Sequence, residues 1–247
     1  MLEVISPNVS LILPLQIGIP RQVFDVKMHS RGIIEIDILD DDKVSAASIL
    51  ADVKAAFEAY DKAGHLYPVN VTGLPSTSVL EPEIGSVRFC GWEGAFAKSL
   101  TYILQLAEVP ELYEDSITLW QFECVSKYFR FMRYSKGGQH YPHYDSDFVV
   151  TKAPGSLGAK TLYATKYSLV MYFNDCETGE IAFLNAEDKD QADWDHQATD
   201  DDIFLKIKPK AGKIVLFPHN VCHTVLPYTD DGERYIVRGD LIFTRVQ

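Results

Sequence analysis

The sequence has few cysteines, and no two of them lie close together. The 247 residues include four, at Cys90, Cys124, Cys176 and Cys222, and none forms a C-x-x-C pair. This spacing argues against a structural zinc site and against a scaffold held by disulfides. Reduced thiols are the simplest interpretation, and we predict a cytoplasmic protein.

Positive charge is also scarce, and the formal net charge is −12. Binding to phosphates requires clustered Lys and Arg, so we expect no nucleic-acid or anionic-membrane partner.

The N-terminal run "MLEVISPNVSLILPLQIGIPRQ" is apolar, but it lacks a basic region and is interrupted by Pro14 and Pro20. It therefore predicts neither a signal peptide nor a membrane span.

The first half of the chain carries the helical patterns. Within 45–62, Ile49, Val53 and Phe57 recur at helical spacing, and 94–109 repeats apolar residues in the same way before Pro110. "GIIEIDIL" alternates like a strand and precedes the first helix. We expect both helices to cover one face of a sheet.

The second half is typical of short strands separated by turns. The strand-like runs are "SKYFRFMRYS", "KYSLVMYFND", "EIAFLN", "IFLKIKP", "GKIVLFPH", "CHTVLPYT" and "RYIVRGDLIFTRV". No linker separates the halves, so we predict one mainly β domain over 1–247. Residues 1–125 would supply helical support and the first strands, and 126–247 an antiparallel sandwich, jelly roll or barrel that bears the metal site.

The segment 186–202 holds eight carboxylates and one lysine. It lacks the glycine and glutamate that an EF-hand needs at its sixth and twelfth positions. Two interpretations remain open: a solvated insertion, or a lid that recruits a basic substrate.

The stretch "GGQHYPHYDSDF" contains candidate metal ligands. His143 and Asp145 are two residues apart, so on an extended strand both side chains point to one face. A chain of this composition is expected to contain about one His-x-Asp pair by chance, so the pair alone does not identify a metal site. A third ligand is needed. His219 and His223 are the candidates, and we choose His223 because it lies in a strand-like run, whereas His219 follows Pro218 in an apparent bend.

The other polar residues of this stretch are weaker candidates. We expect His140 to be a loop residue rather than a ligand, because it is out of phase with His143. Asp147 is in phase with Asp145 and is expected to accept a hydrogen bond near the site or to contact substrate. Tyr144 points to the opposite face, where packing is the default.

Two histidines and one carboxylate, with open positions opposite, are the ligand set of non-haem Fe(II) oxygenases. The turn signal "TDDG" predicts a hairpin that places Arg238 opposite His223, with Arg234 nearer the turn on the same face. A bidentate cation there suits the far carboxylate of a dicarboxylate such as 2-oxoglutarate.

These motifs, "FRFMRYSKGGQHYPHYD", "LVMYFND", "TGEIAFL", "GKIVLFPH" and "HTVLPYTDDGERYIVRGDLIF", resemble the Fe(II)/2-oxoglutarate-dependent dioxygenases of the prolyl 4-hydroxylase-like branch. The resemblance covers about 85–245 and implies a double-stranded β-helix (jelly roll) with N-terminal α-helices packed on it. It also implies a set of site residues: His143, Asp145 and His223 as iron ligands, Arg234 as the partner of the 2-oxoglutarate C5 carboxylate, and Tyr134 and Tyr172 as lining of the cosubstrate pocket. Arg238 matches the cosubstrate arginine of other branches, or alternatively a residue that faces the metal and a substrate carboxylate.

The resemblance implies Fe(II), 2-oxoglutarate and O2 as cofactor and cosubstrates, and hydroxylation of an unactivated C–H bond with release of succinate and CO2. Peptidyl proline, a free amino acid and another small molecule all remain possible substrates, and the oligomeric state is open. Two alternatives also remain. Zinc would suit the same ligands in a hydrolase, and a cupin-like module would bind the metal without turnover.

Overall fold

The computed structural model describes residues 24–38, 44–69, 86–107, 111–115, 117–151, 162–186 and 196–246. The N-terminal apolar run and the centre of the acidic segment lie outside these residues. Within them are two α-helices and fifteen β-strands.

The elements of the first half are α1 (Val44–Lys62), α2 (Gly94–Leu106), β1 (Phe24–Met28), β2 (Ile34–Ile38), β3 (Tyr67–Pro68), β4 (Ser86–Trp92), β5 (Leu112–Glu114) and β6 (Leu119–Val125). Those of the second half are β7 (Tyr128–Tyr134), β8 (His140–His143), β9 (Val149–Thr151), β10 (Leu162–Tyr172), β11 (Ile181–Leu184), β12 (Ile203–Ile207), β13 (Lys213–Pro218), β14 (His223–Val225) and β15 (Arg234–Arg245). Every strand-like run of the second half forms a strand.

The strands form two antiparallel sheets. The major sheet runs β1-β2-β13-β10-β15-β7-β4-β3, and β5, β6 and β9 pair along its sides. The minor sheet has the order β12-β11-β14-β8. Along the path β2-β13-β10-β15-β7-β4 of the major sheet, and along β11-β14-β8 of the minor sheet, neighbouring strands are not consecutive in sequence. This order is expected for the predicted jelly roll, in which the chain crosses repeatedly from one sheet to the other.

The period-2 alternation of the central strands divides the core into two layers. On β7, β10 and β15, one set of side chains, including Phe131, Leu169 and Val237, packs against both helices. The alternate set, including Val170 and Ile236, packs between the two sheets. The second set determines the functional site, because it lines the interior of the jelly roll.

The helices occupy the predicted positions. Phe57 of α1 and Phe96 and Leu100 of α2 are buried against the major sheet, which confirms that the helices cover one of its faces. α2 ends at Leu106, three residues before the predicted end. No helix in the described part of the chain is both apolar and long enough to cross a bilayer.

The predicted hairpin between His223 and Arg238 is wrong. β14 belongs to the minor sheet and pairs with β11 and β8, whereas β15 belongs to the major sheet and pairs with β10, β7 and β6. A local turn signal shows that the chain reverses, but it does not show whether the next strand returns to the same sheet. Here the chain crosses to the opposite sheet.

Candidate metal and cosubstrate site

The predicted ligands His143, Asp145 and His223 come together between the two sheets. One ligand atom from each lies within 4.8 Å of the other two. His143 ends β8 and is the register partner of His223 on β14, so strand pairing brings the two imidazoles side by side, with ring centroids 4.3 Å apart. Asp145 follows β8 in irregular structure, and its Oδ2 is 3.7 Å from Nε2 of His223.

Both imidazoles are oriented by backbone carbonyls. Nδ1 of His143 is 2.8 Å from the carbonyl oxygen of Tyr141, and Nδ1 of His223 is 3.1 Å from that of Val221. A proton on each Nδ1 leaves Nε2 as a lone-pair donor for a metal. Burial, together with the neighbouring His143, lowers the pKa of His223 to about 4. His223 is therefore neutral at physiological pH, as metal binding requires.

The third ligand is held from the major sheet. Nη2 of Arg238 lies 2.7 Å from Oδ1 of Asp145, and the hydroxyl of Ser168 donates to Oδ2. Ser168 lies on β10 and Arg238 on the neighbouring β15. The site is thus built by both sheets, with two histidines from the minor sheet and a carboxylate tethered to the major one.

A chain of alternating charges leads away from Asp145. Nη2 of Arg238 is also 3.3 Å from Oδ1 of Asp240, and that oxygen is 3.4 Å from Nε2 of His219. Nδ1 of His219 is 3.0 Å from Oδ1 of Asp147, whose other oxygen is 2.7 Å from Nζ of Lys166. We call Lys166, Asp147, His219, Asp240, Arg238 and Asp145 the ion chain.

His219, the alternative third ligand, belongs to this ion chain and is not part of the triad. Burial opposes its charge, but the hydrogen bond with Asp147 and the nearby carboxylate of Asp240 outweigh burial and raise the pKa of His219 to about 9. A protonated imidazole has no lone pair for a metal, which agrees with the choice of His223. Asp147 accepts hydrogen bonds beside the site, one of the two roles predicted for it.

Arg234 lies in the interior between the sheets and is only 1% exposed. Its Nη1 donates to the carbonyl oxygen of Gly179, and its Cζ lies 4.1 Å from the ring centroid of Tyr134. Gly179 has φ +79, and a Cβ there would collide with the guanidinium, so the arginine needs glycine at this position. Nε and Nη2 of Arg234 have no hydrogen-bond partner among the described residues.

A buried charge with two unused donors is costly unless a ligand completes it. The two donors are parallel N–H groups of one planar guanidinium, the geometry that binds a carboxylate bidentately. The surroundings of Arg234 therefore fit the far carboxylate of 2-oxoglutarate, and those of the triad fit Fe(II).

The two predicted tyrosines lie in the same buried cluster. Tyr134 is the register partner of Arg234, and Tyr172 lies on β10 among the side chains between the sheets. Burial raises the pKa of Tyr134 to about 12 and raises that of Tyr172 as well, so both hydroxyls keep their protons and can donate hydrogen bonds.

His140 is not a loop residue, contrary to the expectation from its phase. It begins β8 and is buried, with its ring centroid 5.9 Å from those of Tyr134 and His143. Nε2 of His140 has no hydrogen-bond partner among the described residues. Arg234, Tyr134, His140 and the triad thus form a continuous row, and no local pattern in the sequence indicates the burial of His140.

The end of the acidic segment is anchored beside this row. The amide nitrogen of Gln197 lies 3.2 Å from the carbonyl oxygen of His140 and 3.0 Å from that of Val225. Thr199 and Asp202 form a capping box at the start of a 3₁₀ turn. Most of the carboxylates predicted to form a lid or a solvated insertion lie outside the described residues.

Comparison with known proteins also indicates a site for Fe(II) and 2-oxoglutarate. Residues 129–239 match the family model described as "2OG-Fe(II) oxygenase superfamily". No curated protein sequence matches the chain.

Solved structures that are 14% and 15% identical to this chain share its fold. One is a Trichoplax adhaerens prolyl hydroxylase in complex with a hypoxia inducible factor oxygen degradation domain peptide fragment. It is 14% identical to this chain, and the match covers 86% of this chain and 84% of that chain with a TM-score of 0.51. The non-heme alpha ketoglutarate dependent carbocyclase SnoK from nogalamycin biosynthesis is 15% identical, with 87% and 79% covered and a TM-score of 0.50. A Pseudomonas putida prolyl-4-hydroxylase is 18% identical, with 86% and 93% covered and a TM-score of 0.48.

Residues 129–239, which match the family model of the 2OG-Fe(II) oxygenase superfamily, carry all three members of the triad. Fold and site define a 2-oxoglutarate-dependent dioxygenase, with Fe(II) as its metal and 2-oxoglutarate and O2 as cosubstrates.

Proposed function

We propose that the enzyme hydroxylates an unactivated C–H bond of a small molecule or peptide, with His143, Asp145 and His223 as the iron ligands and Arg234 as the partner of the C5 carboxylate of 2-oxoglutarate. The observation that carries this assignment is the buried guanidinium of Arg234, whose Nε and Nη2 are unpaired within the described part of the chain. A hydrolase that uses only a metal-bound water would not need this group.

The contacts favour Arg234 over Arg238 for the cosubstrate. Arg238 already pairs with Asp145 and Asp240, whereas Arg234 has an unused bidentate edge. Tyr134 and Tyr172 would complete the pocket. Tyr134 packs its ring against the guanidinium, and both tyrosines keep hydroxyl protons that can be donated to a carboxylate.

Each residue has a defined part in the proposed mechanism. Fe(II) with 2-oxoglutarate, when bound, supplies the oxidising chemistry that consumes O2 and yields succinate and CO2. The carbonyl-bound Nδ1 atoms keep both histidines in the orientation for coordination, and Arg234 fixes the position of the cosubstrate. The apolar wall that includes Val170, Phe183, Phe217 and Ile236 limits access of water.

Succinate formation tests the proposal. Purified protein is incubated with Fe(II), 2-oxoglutarate, ascorbate and O2, first alone and then with free amino acids, proline-rich peptides and other small molecules. We expect slow succinate release without substrate and faster, stoichiometric release with the true one. The absence of succinate under all conditions, together with stoichiometric zinc in the purified protein, would instead support a zinc hydrolase.

A further inference from the structure

We propose that Arg238 and Ser168 form a clamp that holds the Asp145 carboxylate in a single-oxygen binding geometry, with Oδ2 toward the metal. The inference rests on the proposed ligand set. It assigns to these two residues a positioning role, which acts through Asp145 and involves no contact with the reacting atoms.

Asp145 needs such support because no strand holds it. The two histidines are fixed by the pairing of β8 with β14, but Asp145 lies beyond the end of β8. A carboxylate on irregular backbone can rotate about its side-chain torsions. Metal binding restricts it to one orientation, which costs conformational entropy. Its side chain is instead held by contacts with the opposite sheet.

The two clamp residues hold different oxygens. Nη2 of Arg238 lies 2.7 Å from Oδ1, and the hydroxyl of Ser168, which is wholly buried, donates to Oδ2. The clamp is closed internally, because the same Nη2 is 3.1 Å from Oγ of Ser168. Ser168 lies on β10 and Arg238 on β15, and these two strands have the longest paired register in the major sheet, so the clamp has a rigid base.

The clamp also selects the coordinating oxygen. Oδ2 faces Nε2 of His223 at 3.7 Å, whereas Oδ1 faces the guanidinium. A charge-assisted bond to Oδ1 disfavours a second bond from that oxygen to the metal. Asp145 would then use one coordination position, and the rest would stay open for 2-oxoglutarate and O2.

The ion chain holds Arg238 in turn. Oδ1 of Asp240 lies 3.3 Å from Nη2 of Arg238. His219 lies between Asp240 and Asp147, and Oδ2 of Asp147 forms an ion pair with Nζ of Lys166. Arg238 therefore has carboxylates on two sides and little freedom to leave Asp145.

The charge of Arg238 and its position have opposite effects on metal binding. A guanidinium this close to a divalent cation repels it, so removal of the charge alone would tighten binding. Loss of the clamp would weaken binding, since partners of metal ligands typically contribute 10- to 100-fold in affinity. The sign of the change thus distinguishes a positioning residue from a nearby charge.

Metal affinity of the 247-residue protein is measured by anaerobic calorimetry with Fe(II) and Co(II), without turnover. The variants are Ser168→Ala, Arg238→Met and Arg238→Lys, and Arg245→Met is the control because Arg245 is an exposed arginine on the same strand. We expect a roughly 10-fold higher Kd for Ser168→Ala and 10- to 100-fold for Arg238→Met, partial recovery with Arg238→Lys, and no change for the control.

The absorption spectrum of the Co(II) form gives a second readout, because it reports coordination geometry. We expect it to change in Ser168→Ala and Arg238→Met but not in Arg245→Met. Ser168→Ala removes only one hydroxyl and keeps the test valid if the arginine variants fold poorly. Unchanged affinity in Ser168→Ala, or tighter binding in Arg238→Met, would overturn the clamp while leaving the proposed function intact. Failure of the unmodified protein to bind either metal would instead contradict the proposed function.

Discussion

Substitution of Arg234 tests the cosubstrate site most directly. The structure offers two unpaired donors, Nε and Nη2, on a buried guanidinium. Hydrogen bonds to charged groups contribute about 1.5–3 kcal/mol each, so the pair would contribute about 3 kcal/mol or more. Because about 1.4 kcal/mol corresponds to a tenfold change, Arg234→Ala should raise the Kd for 2-oxoglutarate at least about 100-fold.

The assay combines this variant with a change in the ligand. Binding of 2-oxoglutarate and of 2-oxopentanoate, which lacks the C5 carboxylate, is measured calorimetrically on metal-loaded protein without O2. The unmodified protein should prefer 2-oxoglutarate strongly, and Arg234→Ala should bind both ligands with similar weak affinity. Arg234→Lys keeps the charge but loses the planar fork, so an intermediate affinity is expected.

Arg245→Ala serves as the matched control on the same strand, and thermal unfolding verifies that each variant is folded. An Arg234→Ala protein that is folded and binds 2-oxoglutarate as tightly as the unmodified protein would refute the assignment. A selective loss of 2-oxoglutarate binding in Arg238→Ala would transfer the role to that residue.

Three further predictions concern the ligands, a glycine and a buried carboxyl group. Asp145→Ala and His223→Ala should each abolish iron-dependent succinate formation, and retained turnover in either variant would contradict the ligand assignment. Gly179→Ala should displace the Arg234 guanidinium and raise the KM for 2-oxoglutarate more than it lowers kcat, which steady-state kinetics would show. Burial raises the pKa of Glu93 from 4.5 to about 7, so the folded state holds this proton more tightly than the unfolded state and stability falls as pH rises between these values. Glu93→Gln should therefore stabilise the fold at pH 8 by up to about 3 kcal/mol and much less at pH 5, and urea unfolding that gives equal differences at both pH values would count against this reasoning.

Many strands of the second half could be predicted because they are central and rich in β-branched and aromatic residues. β10, β13 and β15 are almost wholly buried, and their apolar pattern reflects two packed faces. β3 and β5 are two and three residues long and mostly exposed, so no pattern distinguishes them from loops.

The site could be predicted only in part, for a similar reason. The spacing of His143 and Asp145 and the strand-like surroundings of His223 are local features, and the structure brings these residues together. The burial of His140 depends on Tyr134 and on the end of the acidic segment, which are distant pieces of chain. The ion chain likewise joins four separate segments, and charge alone does not show which aspartate meets which cation.

The division of the triad between the two sheets gives the metal a second consequence. His143 and His223 belong to the minor sheet, whereas Asp145 is tethered to the major one through Arg238 and Ser168. A bound ion would therefore cross-link the two sheets. Its binding free energy would add to the free energy that is needed to separate them. Cells short of iron would then hold a protein that is inactive and also more easily opened, and thus more exposed to proteolysis, than its loaded form.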